Sequence, residues 1–212
     1  MQTSGFPGKV FQFFEWIMWI AYINILWLLF TVLGGVLFGA VPATIAMLTV
    51  YRKLFMKEMN SSIFHSFYTT FKKEFIIGNG FAGILLFAGL LFYSYVLFLS
   101  VAEGFLFYFF TTLVLLLAII SIITFLFLLP VYVHYELTFL RYFKQAFLIG
   151  ILNPLLTFSM ICILGMIIAL YLSVPSMIVF LGVGMLGLVN MKFAMFSFER
   201  LEEKRAVAPT SG

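Results

Sequence analysis

The 212-residue sequence has no aspartate and a single cysteine, Cys162, and only 9% of its residues are charged. One thiol cannot form a disulfide or a thiolate metal cage within one chain. His134 and Glu136 make an H-x-E, but no P-C-x-x-C accompanies it, which argues against a deaminase-type zinc site. H-E-x-x-H, G-x-S-x-G and G-x-x-x-x-G-K-[ST] are also missing. These gaps disfavour an ATPase, a zinc protease and an aspartate-based intramembrane protease. The expectation is a non-enzyme with no catalytic residue, no metal and no cofactor.

The residues that fill the gap are apolar: 64% of the chain is hydrophobic and the mean hydropathy is +1.17. Uncharged runs cover 16–51, 75–102, 104–135 and 145–191, against about 20 apolar residues needed to cross a hydrocarbon core. The chain therefore reads as one integral membrane domain, 1–212, an all-α polytopic helix bundle. Its first apolar stretch runs on into more apolar sequence with no cleavage site, so it reads as a retained span.

Breaks divide the runs. Gly34-Gly35 splits the first into spans at about 13–33 and 36–55, the second containing Pro42 as a kink. Glu103 separates spans at about 75–100 and 105–131, and the turn 173–176 (SVPS) separates spans at about 147–172 and 177–198. This gives six spans; the alternative is five, with 36–55 interfacial or re-entrant. Arg52, Lys53, Lys57, Lys72 and Lys73, then Arg141 and Lys144, then Lys192, Arg200, Lys204 and Arg205 fall in alternate connections and the tail. Six crossings place all of them on one side, which the positive-inside rule makes the cytoplasm, with both termini there. The +4 net charge is thus explained by topology, and nucleic acid is not an expected partner.

A phrase recurs: FKKEFIIG at 71–78 and FKQAFLIG at 143–150. Around the first, Phe67, Phe71 and Phe75 share a helical face opposite Lys72 and Lys73. Around the second, Phe139, Phe143 and Phe147 oppose Arg141 and Lys144. Such segments, about 60–75 and 136–147, read as interfacial amphipathic helices with rings in the acyl boundary and cations toward water or anionic lipid. The glycine would then turn the chain into the next span. Each copy follows a proline-bearing helix, Pro42 or Pro130, which points to a parallel internal repeat, with chance similarity among 29 phenylalanines as the competing reading.

Polar groups inside a membrane need partners. Glu15, Asn24, Thr44, Arg52, Lys53, His134 and Glu136 stand out, and Glu15 is expected to pair with Arg52 or Lys53. Asn24, with Tyr22 and Thr31, bonds a neighbouring helix or lines a polar path. Gly182, Gly184 and Gly187 allow close packing of the last span.

Residues 13–55, with E-W at 15–16, L-W-x-L-F-T at 26–31, P-A-T-x-A-M at 42–47 and the trailing Arg52-Lys53, resemble the YesL family of bacterial integral membrane proteins. The likeness covers about the first 80 residues, and Glu15, Trp16, Asn24, Trp27, Pro42, Thr44, Arg52 and Lys53 match the family pattern. The resemblance implies a six-helix protein of a Gram-positive plasma membrane, in a family commonly encoded beside carbohydrate ABC importers, with no catalytic residues to carry over. The expected role is an accessory subunit of such an importer, in contact with lipid and the permease subunits. The EAA-type motif of the permeases themselves is missing. The alternative is a small-solute transporter or channel acting alone, as a homodimer.

Overall fold

The computed structural model describes residues 6–100 and 103–207, and every regular element among them is an α-helix. α1 (Phe6–Leu33) and α2 (Leu37–Phe55) form a hairpin whose turn falls at the expected Gly34-Gly35. Gly35 adopts φ +80°, the Val36 N–H reaches back to the Thr31 carbonyl (2.8 Å) and the Gly35 N–H to the Val32 carbonyl (3.0 Å). This is a Schellman cap, which gives the Thr31 and Val32 carbonyls at the end of α1 donors from the turn itself. A Cβ on Gly39 would collide with the Thr31 backbone, which is why the two helices can close so tightly there.

α3 (Ile63–Leu99) is one unbroken helix of 37 residues. Ser62 caps it by accepting from the His65 N–H (3.3 Å). The expected division into an interfacial helix at 60–75 and a span from 75 is therefore corrected: no turn occurs at Gly78. That glycine instead lets α3 lie on α2, where a Cβ would stand 2.9 Å from Pro42 Cγ. Lower down, Lys53 Nζ donates to Ser66 Oγ at 2.9 Å. Residues 42 to 53 of α2 thus match residues 78 to 66 of α3, and the two helices run in opposite directions. α3 continues 21 residues past Gly78 while α2 begins only five residues before Pro42, so the outer part of α3 extends past the start of α2.

α4 (Gly104–His134) returns alongside α3, and α5 (Phe139–Leu152) follows as a short separate helix. The second copy of the repeated phrase does become a discrete helix, because Pro154 ends it and opens α6 (Pro154–Ser173). The two copies consequently take different structures, and only the second forms a separate short helix between two longer ones. Past the 174–175 turn, the expected last span is split into α7 (Ser176–Phe180) and α8 (Gly182–Val207).

α2 is the central helix, buried from Pro42 through Tyr51 apart from Thr44 and Thr49. One apolar cluster joins α1, α2, the start of α3 and α8 through Ile23, Phe30, Met47, Tyr51, Phe67 and Met191. A second joins α2, α4, α5 and α8 through Ile45, Phe127, Val131, Ala146 and Phe198, with Phe81 of α3. Among the described residues, four helices are long and apolar enough to cross a membrane: α1 from Phe14, α3, α4 and α6. The other two expected spans, 36–55 and 177–198, are the less apolar α2 and the broken α7–α8. The architecture is a polytopic membrane helix bundle.

Candidate functional site

The break between α7 and α8 leaves backbone groups without helical partners; Asn24 takes up one carbonyl and one N–H there, and two tyrosines add bonds to carbonyls in the first turn of α8. Asn24 of α1 donates Nδ2 to the Val179 carbonyl (2.8 Å) and accepts the Gly184 N–H on Oδ1 (3.0 Å). The Tyr51 hydroxyl donates to the Gly184 carbonyl (2.9 Å), and the Tyr171 hydroxyl to the Gly182 carbonyl (3.0 Å). Asn24 is 1% exposed, so both bonds form out of water. The approach requires glycine: a Cβ on Gly184 would stand 2.9 Å from the Ile20 carbonyl oxygen, and one on Gly187 would strike the Met47 side chain.

The same economy appears at two prolines. Pro130 has no N–H to offer the carbonyl four residues back, and that carbonyl, Leu126, accepts Asn190 Nδ2 at 2.9 Å. Pro154 likewise frees Gly150, whose carbonyl accepts the Thr157 hydroxyl at 2.8 Å. Asn24, Tyr51, Tyr171, Asn190 and Thr157 are therefore each engaged with the chain's own backbone.

Away from this braced interior, the outer halves of α3 and α4 stand apart from the bundle. Leu86, Leu90, Phe105 and Leu115 are all exposed. The two helices meet at the tip through Tyr95, Phe98 and Phe110, with ring centroids 5.4–6.3 Å apart. Nearer the bundle, Phe81 meets Tyr132 at 5.0 Å. Between these aromatic contacts lies a groove of about 620 Å³, walled by Leu85, Ala88, Gly89, Phe92, Ala118 and Ser121 among others. A Cβ on Gly89 would touch nothing within 4 Å.

Known proteins fix the family. Residues 20–95 match the family described as "Protein of unknown function, DUF624". The uncharacterized protein YesV of Bacillus subtilis (strain 168) is 38% identical over 192 residues, which cover 89% of this chain and 90% of YesV. The chain belongs to the YesL-like DUF624 family. From the same organism, the uncharacterized protein YesL is 28% identical over 195 residues, 92% of this chain and 91% of its own. The uncharacterized protein YteU is 27% identical over 203 residues, covering 96% and 91%. No solved structure matches the chain.

In this YesL-like bundle the expected polar residues do not gather into one site. Arg52 Nε donates to His134 Nδ1 at 3.4 Å, joining α2 to α4, and the His134 ring lies 4.6 Å from that of Phe198. Lys53 reaches Ser66, so the expected pairing of Glu15 with Arg52 or Lys53 is not formed; among the described residues Glu15 makes no ion pair. Thr44 accepts from Trp27 Nε1 (3.0 Å) and donates to the Ala40 carbonyl (2.8 Å). Glu136 is exposed in the connection between α4 and α5, apart from His134.

Of the six rings expected in the acyl boundary, Phe67 is buried, Phe139 is exposed and the other four are half-buried. Phe67 is fully buried and lies 5.2 Å from Phe30, Phe71 lies 5.0 Å from Phe30, and Phe75 lies 5.6 Å from Phe71. Phe139 and Phe143 pack on Phe81 at 5.1 and 6.2 Å, and Phe147 is half-buried. Lys72, Lys73, Arg141 and Lys144 are exposed.

Glu74 was not singled out from the sequence. It is 8% exposed, accepts a hydrogen bond from the Tyr132 hydroxyl of α4 and lies 3.6 Å from Lys73. Its signal was its place on the helical stripe 74–78–81–85, which the expected turn at Gly78 concealed. Tyr51 and Tyr171 were hidden in the same way, as ordinary residues near span ends.

Proposed function

We propose that the protein is an accessory subunit that binds the transmembrane helices of a carbohydrate ABC importer's permease and aids its assembly, stability or regulation. The carrying observation is the α3–α4 hairpin: its outer halves expose large apolar side chains such as Leu86, Leu90, Phe105 and Leu115, and the groove between them is lined in part by the small residues Ala88, Gly89 and Ala118. Small residues admit a neighbouring helix, and close packing drives association where lipid removes the hydrophobic drive. The importer as partner follows from the genomic company that the YesL resemblance implies. Engagement of Asn24, Asn190, Thr157, Tyr51 and Tyr171 with backbone groups supports an interaction protein over a transporter or channel acting alone. The setting proposed is the bacterial plasma membrane, with both termini cytoplasmic by the distribution of lysine and arginine.

The test is extraction in a mild detergent and identification of the importer permease subunits in the purified complex. Gly89→Leu, at a position where a Cβ meets nothing within 4 Å, places a larger side chain in the groove and should remove the permease at unchanged yield. Recovery of the permease with Gly89→Leu at the wild-type level would reject the hairpin as the docking element. Solute uptake into liposomes by the purified protein alone would favour the transporter.

A further inference from the structure

A second groove, of about 440 Å³, lies between the end of α1 and the first half of α3. Its walls are Phe30, Leu33, Phe75 and Ile76 with other aromatic carbon, and its one charged lining residue is Lys72, beside Tyr68. The adjacent lysines differ: Lys73 is held 3.6 Å from Glu74, while Lys72 makes no ion pair among the described residues. On α3 the groove runs from Tyr68 to Ile76, about 12 Å along the helix, and on α1 it ends at Leu33, the last residue before the α1–α2 turn. Phe30 meets Phe67 and Phe71 across it, at 5.2 and 5.0 Å. The groove thus joins a free cation to an apolar helix end.

We infer that this groove is a site for one anionic phospholipid, its phosphate at Lys72 and the Tyr68 hydroxyl and an acyl chain along Phe30, Leu33, Phe75 and Ile76. A cation near the membrane surface attracts an anionic headgroup, whereas a zwitterionic one gains little. The apolar walls hold the chain in place, which a free phosphate cannot exploit. The site is independent of the α3–α4 groove and of any protein partner.

Native mass spectrometry of the full chain tests it, using phosphatidylglycerol, phosphatidylcholine with the same chains, and inorganic phosphate as probes. Phosphatidylglycerol should be retained about fivefold more tightly than phosphatidylcholine. Lys72→Ala should abolish that preference, Lys73→Ala should keep it, and Ile76→Trp, at a position 83% exposed, should fill the groove and release both lipids without unfolding the protein. Equal retention of the two lipids, loss of preference in Lys73→Ala but not in Lys72→Ala, or displacement of phosphatidylglycerol by inorganic phosphate would each overturn the inference. Unchanged melting temperatures keep the variants comparable, and a Lys72→Arg variant, retaining the charge, should bind as wild type should Lys72→Ala prove unstable.

Discussion

Asn24 closes the gap between α7 and α8 with both ends of its amide, donating to Val179 on one side and accepting from Gly184 on the other. A side chain that both donates and accepts is needed because the break exposes one carbonyl and one N–H at the same place. Leucine has the volume but neither function, and aspartate would set a charge against a carbonyl oxygen.

Asn24→Ala should lower stability by about 1–3 kcal/mol, the loss of two hydrogen bonds away from water. The check is the Tm of the purified protein in detergent. An unchanged Tm would mean that α7 and α8 are held by packing alone.

Asn190→Leu should also destabilise, by about 1–3 kcal/mol, because the Leu126 carbonyl loses its donor. Pro130→Ala in the Asn190→Leu background should recover much of the loss, since alanine restores a backbone N–H for that carbonyl. Melting of the single and double variants tests this. The double variant melting below Asn190→Leu would remove proline from the explanation.

Glycines of the last helices should divide by their surroundings. Gly184→Ala drives a Cβ to 2.9 Å from the Ile20 carbonyl oxygen and should cost about 1–3 kcal/mol. Gly165→Ala meets nothing within 4 Å inside α6 and should be neutral or stabilise by up to about 1 kcal/mol. The two thermal shifts should have opposite signs or differ by several degrees.

Glu74 and Tyr132 should be energetically coupled. A double-mutant cycle of Glu74→Ala and Tyr132→Phe should return about 0.5–1.5 kcal/mol, typical of a side-chain hydrogen bond. A coupling indistinguishable from zero would show that the contact does not hold α3 to α4.

Turns were more legible in the sequence than the continuity of helices. Gly34-Gly35, Glu103 and the 173–176 turn each fall where a helix ends, since glycine, charge and proline act locally on the backbone. The repeated phrase misled because its fate depends on what lies outside it. After Gly78 no proline follows and Pro42 of α2 waits across the interface, so the helix runs on. Four residues after Gly150 stands Pro154, and the helix stops. Asn24 was recognisable as a polar group needing a partner, but its partner is a helix break created by packing among α1, α2 and α6. Glu74 could not be distinguished from a surface carboxylate until α3 was known to be straight.

The capped turn of α1 and α2 bears on biosynthesis. Its three N–H groups bond back into α1, and neither that turn nor the one before α7 contains an ionisable residue. Neither helix pair must carry a charge at its leading edge when it leaves the translocon. The middle hairpin must, because Glu103 rides at its apex. In the proposed orientation, with both termini cytoplasmic, desolvating that one carboxyl is the electrostatic threshold in the polypeptide's entry into lipid.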